Sequence, residues 1–218
     1  MADRYEYSAK VRTPLFRGAF VRVFEPEDVK NDDGTVSKVW SVTTILEKGA
    51  DISAIKGAIA EAAKKLWGDK AAAMVGHAKF KNPIKDGREM ANREGELYAG
   101  FEPGQITFKL STKQRRPGLV DKLVRPIVDA DGKTLVDEKN EVYEVIPSNA
   151  VHSGCYFYAT LCAQAFDRSD GFGVSLKLEN LQLVKPGERL GGGGAASAKD
   201  DFAPVEGTAG GDLADLLS

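Results

Sequence analysis

From Cys155 to Phe166 the chain alternates without a break: Phe157, Ala159, Leu161, Ala163 and Ala165 point one way, and Tyr156, Tyr158, Thr160, Cys162, Gln164 and Phe166 the other. Successive side chains of an extended chain point to opposite faces, so this period of two predicts a strand with one apolar and one more polar face. The pattern recurs. Val174 to Val184 sets Val174, Leu176 and Leu178 inward against Ser175, Lys177 and Glu179, and Gln105 to Thr112 sets Ile106, Phe108 and Leu110 against Thr107, Lys109 and Ser111. Arg17 to Phe24 places Ala19, Val21 and Val23 on one face and Phe20, Arg22 and Phe24 on the other. After the turn signal Asp32-Asp33-Gly34 comes Lys38 to Leu46, rich in Val, Thr, Trp and Ile, which predicts a hairpin. Pro117-Gly118 and Asp131-Gly132 break the next region into short pieces, and Val142 to Ile146 is a further strand.

One segment departs from this pattern. Ile52, Ile55, Ile59, Ala62, Ala63 and Leu66 recur at helical spacing while Lys56, Glu61, Lys64 and Lys65 face away, with Asp51 or Ser53 as cap. The lysines read as a solvated face. Lys79 to Gly95 is polar, with Pro83, Gly87 and Gly95, and reads as a long loop or insertion of the kind that often carries function. The body is therefore mainly β with antiparallel strands and one main helix.

After Leu190 four glycines, Gly191 to Gly194, open a stretch of small and acidic residues that cannot bury enough apolar surface to offset its conformational entropy. Two regions follow: a domain over residues 1–190 and a Gly-rich linker with an acidic, disordered tail over 191–218. The tail holds Asp200, Asp201 and Phe202 and ends in Asp212-Leu213-Ala214-Asp215-Leu216-Leu217-Ser218. Leucines alternating with acids form either a docking peptide for a partner's groove or a solubilising tail.

The net charge of −2 hides an asymmetry. Lys199 stands alone against five acids beyond residue 190, a tail of −4 on a body of +2, and residues 106–125 carry six bases against Asp121, a local +5. Attraction depends on local charge, so this distribution suits a polyanion ligand with an internal acidic competitor; a solvated charged face is the alternative. The polar N-terminus lacks a secretory pattern and no apolar run spans a membrane, which predicts an intracellular protein. Cys155 and Cys162 are an odd number of residues apart in one strand and point to opposite faces, so no disulfide is expected.

Catalytic motifs do not assemble. His77 and His152 have no companions at zinc-site spacing, Asp129-Ala130-Asp131-Gly132 does not complete a calcium loop, and no Lys-Ser/Thr follows the four glycines. Neither an enzyme nor a metal or other cofactor is expected.

Binding single strands without sequence preference needs cations along the phosphates and aromatic faces for unpaired bases. Phe20 and Phe24 flank Arg22 on one expected face, and an arginine there sits poorly in a dry core. Tyr156 and Tyr158 lie on the polar side of their strand, and Lys109, Lys113, Arg115 and Arg116 come from a strand's outer face and the loop after it. These nine residues are the expected DNA-binding set, four aromatics for stacking and five cations for phosphates. Each aromatic also fits a half-buried packing role, and Trp40 groups by register with Val42 and the core.

The run Thr43-Thr44-Ile45-Leu46-Glu47-Lys48, then Asp51-Ile52-Ser53-Ala54-Ile55 opening a helix, resembles phage-encoded single-stranded-DNA-binding proteins. Gly154-Cys155-Tyr156-Phe157-Tyr158-Ala159-Thr160, Gly173-Val174-Ser175-Leu176-Lys177-Leu178 and Leu181-Gln182-Leu183-Val184-Lys185-Pro186-Gly187-Glu188 are similar to that family's closing strands. The resemblance covers roughly residues 10–190. It implies an OB-fold, a five-stranded Greek-key barrel, here with extra hairpins and the one inserted helix. It further implies protection of single-stranded DNA during viral replication, recombination and repair in the cytoplasm of the infected bacterial host. An acidic tail that contacts replication or recombination proteins is implied too, and a homodimer is compatible with it. Asp200, Asp201, Phe202, Asp212, Leu213, Asp215 and Leu216 are the expected tail contacts. Members commonly end on an aromatic residue, whereas this chain ends in Leu217-Ser218 with Phe202 as the tail's only aromatic. The alternative from another class is a structural or protein-interaction β-barrel without nucleic-acid binding.

Overall fold

The computed structural model describes residues 3–31, 34–129, 144–146 and 150–191. Asp32 and Asp33, the Asp131-Gly132 turn, Val142 and every expected tail contact from Asp200 to Leu216 lie outside the described residues. The strands, in chain order, are β1 (Arg4–Tyr7), β2 (Val11–Arg12), β3 (Phe16–Lys30), β4 (Val36–Leu46), β5 (Lys85–Asp86) and β6 (Ile106–Thr112). Then follow β7 (Gly118–Val120), β8 (Ile127–Asp129), β9 (Glu144–Ile146), β10 (Tyr156–Arg168) and β11 (Gly171–Lys185). The helices are α1 (Ser53–Trp67) and α2 (Ala71–Val75).

Five strands close on themselves in the order β10-β3-β4-β6-β11 and back to β10. Every neighbour in this ring is antiparallel except β6 and β11, which are parallel. The first barrel strand thus pairs with the second and fourth, and the third with the fifth: the Greek-key closure of an OB-fold. Strands outside the ring extend it. β1 and β2 add to β10, β5 adds to β6, β7 continues beside β11 where β6 has ended, and β8 pairs with β9 separately.

The alternation expected of β6, β10 and β11 holds. Phe108, Leu110, Phe157, Ala159, Leu161, Ala163, Ala165, Val174, Leu176 and Leu178 all enter one buried cluster with Val42 and Leu46 of β4. α1 falls between the second and third barrel strands and packs on β10, β1 and β2, burying Ile55, Ala58, Ile59, Ala62 and Ala63. Its N-terminus has Ile52 in the cap position without a side-chain bond; Asp51 instead accepts from the Ser53 N–H at 2.8 Å. Cys155 is buried, Cys162 is half-buried on the outer face, and both are free thiols.

β3 departs from simple alternation. Its register against β4 breaks between Ala19 and Arg22 and again between Arg22 and Glu27, and Phe20 takes a left-handed φ of 49°. Extra residues in one strand shift the parity beyond them. Ala19 therefore packs outward with Ile45 and Phe101, while Val21 and Val23 turn to the main core. Phe24 follows Val23 against that core and does not share a face with Phe20 and Arg22, as an unbroken strand would require. Trp40 is half-buried, and its Nε1 is shielded with no hydrogen-bond partner among the described residues.

The polar insertion is built from local bonds. Asp86 accepts from the N–H groups of Arg88 at 2.9 Å and Gly104 at 3.1 Å and from the Arg88 guanidinium at 2.9 Å, and Glu89 bonds back to the Asp86 N–H. These donors hold the Asp86 carboxyl down to about 2, because each favours its charged form. Further along, Asn92 accepts from the N–H groups of Glu94 and Glu96. Earlier, Lys81 lies along the start of β11 in a parallel bridge to Gly173, where a Cβ would meet the Lys81 carbonyl oxygen at 2.5 Å.

Candidate nucleic-acid interface

Cross-strand partners share a face, so the registers read out the barrel's outer surface row by row. One row runs Arg22, Ser41, Ser111, Lys177, Cys162 across β3, β4, β6, β11 and β10. The next holds Ala19, Thr43 and Lys109, continued by Ser175, Gln164 and Tyr7 on β11, β10 and β1. Small hydroxyl side chains floor the centre. A groove of about 370 Å³ opens there, lined by Thr43, Lys109, Ser111 and Ser175 and walled by Asn82, Pro83, Lys85 and Met90 of the insertion. Its floor lies on the second and third barrel strands, the face on which OB-folds hold oligonucleotides.

Cations gather at one end of this face. Glu179 holds Lys10 at 3.9 Å and Arg115 at 3.7 Å, and Lys113 donates to Asn31 Oδ1 at 2.9 Å, tying the loop after β6 to the tip of the β3–β4 arm. Partial burial, then repulsion from Lys113 and Arg168, pulls the Lys177 ammonium below the ordinary lysine range. A phosphate would relieve that repulsion. Arg116 sets its guanidinium 4.5 Å from the centre of the Phe24 ring.

The expected set is thus divided. Arg22, Lys109, Lys113 and Arg115 come to one continuous face. Phe20 stacks on Phe101 at 6.0 Å and meets Tyr98 edge-on at 5.2 Å, beside the point where Leu190 leaves the fold. Tyr156 and Tyr158 lie on the outer face of β10 but toward its other end, the first under Lys185 at 4.5 Å and the second under Arg12 at 3.9 Å. All four aromatics touch other rings or cations, and they do not form one row.

Lys10, Arg12 and Lys177 were outside the expected set, as were Tyr5, Tyr7, Lys81 and Arg168. The outward direction of Lys177 was readable from alternation, but its neighbours were not, since β6 and β11 meet only through a parallel pairing of distant segments. Among the described residues no group of three or more His, Cys, Asp or Glu side chains is placed to hold a metal ion. Nor is any helix there long and apolar enough to cross a membrane.

Similar architecture occurs in solved structures of phage proteins. The single-stranded DNA-binding protein from bacteriophage Enc34 superposes with a TM-score of 0.53 at 15% identity, over 88% of this chain and 90% of that one. The same protein in complex with ssDNA gives 0.52 at 18% identity, over 84% and 89%. The single-stranded DNA-binding protein gp2.5 encoded by bacteriophage T7 gives 0.50 at 15%, over 83% and 93%. These likenesses define the fold as an OB-type barrel. In sequence, protein p50 of Acyrthosiphon pisum secondary endosymbiont phage 1 is 26% identical over 205 residues, 90% of this chain and 96% of that one. The chain belongs to the Enterobacter phage Enc34 ssDNA-binding protein family, whose sequence model matches residues 9–214.

Proposed function

We propose that this chain binds single-stranded DNA with little sequence preference, the strand lying across the outer face of β4, β6 and β11. The observation that carries this reading is the register row Arg22-Ser41-Ser111-Lys177 beside Lys109: cations at intervals over a floor of small hydroxyls. Such a floor admits a sugar-phosphate chain closely, and the ammonium and guanidinium groups meet phosphates without reading base edges. Family membership and the ssDNA complex of the Enc34 protein support the choice of ligand. Lys113 and Arg115 flank that row from the loop after β6, with Arg116 beyond them on the Phe24 ring. Phe20, Phe24, Tyr156 and Tyr158 offer stacking faces away from the groove, those of Phe24, Tyr156 and Tyr158 already carrying a cation.

In this reading residues 1–190 are the binding domain and 191–218 a linker and acidic tail. Asp200, Asp201, Phe202, Asp212, Leu213, Asp215 and Leu216 recruit replication or recombination proteins, and the tail's charge competes with DNA for the basic face. The work is protection of single strands during viral DNA replication, recombination and repair in the host cytoplasm, by a protein that is not an enzyme and uses no cofactor.

Cys162 provides the test. It sits half-buried at the end of the Arg22–Lys177 row, whereas Cys155 is fully buried and serves as an internal control. Alkylation of Cys162 in mildly alkaline buffer is expected to slow when oligothymidine is bound and to recover at high salt. An unchanged rate at saturating oligothymidine places the strand elsewhere.

A further inference from the structure

Outside the five-stranded ring, β1 adds a margin to β10 that carries two exposed aromatics, Tyr5 at 42% and Tyr7 at 43%. Tyr5 pairs with Phe166 and Tyr7 with Gln164, so both side chains stand on the outer face, in line with the groove. A hydrogen-bonded ladder joins Tyr7 to it. Gln164 Nε2 donates to the Tyr7 hydroxyl oxygen, and the Ser175 hydroxyl, from the groove lining, donates to Gln164 Oε1 at 3.4 Å. From β6 to β1 there are three strand intervals, about 14 Å at the usual spacing, a few nucleotides' width. Beneath, Phe166 is 9% exposed, with Arg168 4.9 Å and Lys81 6.0 Å from its ring centre. It is floor. The cations here are already matched: Asp167 holds Arg4 at 2.5 Å, and Asp170 holds Arg168 at 2.8 Å and Lys81 at 3.7 Å. This margin therefore offers ring faces on a charge-balanced base, the reverse of the cation-rich groove.

Building on the proposed binding of single strands, we infer that Tyr5 and Tyr7 form an accessory stacking platform that takes the bases of a strand as it leaves the groove. The site is then longer than the barrel, and its two parts differ in physics. Phosphate contacts release counterions and give a salt-dependent affinity, whereas base stacking at about 1–3 kcal/mol per base carries no such dependence.

The full-length Tyr5→Ala/Tyr7→Ala variant, with thermal unfolding to confirm its fold, is titrated with oligothymidines of about 6 and about 16 nucleotides, within the span of OB-fold sites. The platform predicts at least a fivefold loss of affinity for the longer strand, an unchanged salt slope, unchanged affinity for the shorter strand, and retention of binding by Tyr5→Phe/Tyr7→Phe. Equal loss at both lengths, a shallower salt slope or no loss on the longer strand overturns it. Wild-type protein that binds neither strand overturns the underlying reading as well, and that titration alone separates the two failures.

Discussion

Lys177 is charged among charges: burial and the nearby Lys113 and Arg168 all favour its neutral form. A phosphate favours the protonated form, so binding takes up a proton once pH has risen to the lowered pKa, and affinity declines as pH rises through it. Lys177→Arg keeps its charge throughout. Oligothymidine titration across alkaline pH is expected to show that decline in the wild type and a flatter profile in the variant; parallel profiles would remove Lys177 from the contact. For Lys109, exposed in the groove, Lys109→Ala is expected to reduce the salt slope by about 0.7, one phosphate contact on a single strand. Phe157, fully buried and packed on Phe16 at 6.0 Å between ring centres, belongs to stability alone. Phe157→Ala is expected to cost about 3–5 kcal/mol in denaturant unfolding. At this scale sequence reads direction better than company. Lys177 and Phe157 point where alternation sends them, but nothing near Lys177 in the chain announces Lys113 or Arg168 as neighbours.

Whole elements were legible where a period ran over several residues, even though the β10–β11 register shifts at two points. α1 and the strands β6, β10 and β11 follow from spacing because each has one face sealed in a common core. β3 was legible as a strand but not in its facing, since two register breaks and the left-handed Phe20 separate Phe24 from Arg22. The insertion was opaque for a different reason. Its order comes from single side chains such as Asp86, Asn82 and Asn92 capping nearby N–H groups, which leave no periodic trace. Asp86 makes a prediction about acid. Its folded pKa of about 2 lies below the unfolded value, so its contribution is present above that unfolded value and disappears as pH falls toward about 2. Limited proteolysis is expected to find the 85–105 segment protected at pH about 4 in the wild type and already cleavable at neutral pH in Asp86→Ala. Equal protection of both proteins at neutral pH would show that other bonds hold the segment.

At the scale of the molecule, the ring that makes a barrel of these strands is a matter of partners, and alternation is silent on partners. The closure of β10 onto β3 and the parallel meeting of β6 with β11 are contacts between distant segments, foreshadowed only by the family resemblance. Charge, by contrast, was legible as a distribution. A chain of net −2 still sets Arg22, Lys109, Lys113, Arg115 and Lys177 on one outer face, where they act locally through a screening length of about 8–10 Å. The face also carries a hydroxyl-floored groove, which suits the proposed unpaired strand, and among the described residues no helix stands on it. The measurement that bears most directly on this account is a separation-based titration of the full-length protein with oligothymidine and with duplex DNA of equal length, at low and moderate salt. The account predicts binding of the single strand that weakens steeply with salt and much weaker binding of the duplex. Equal affinity for both, or no binding of the single strand at low salt, would contradict it.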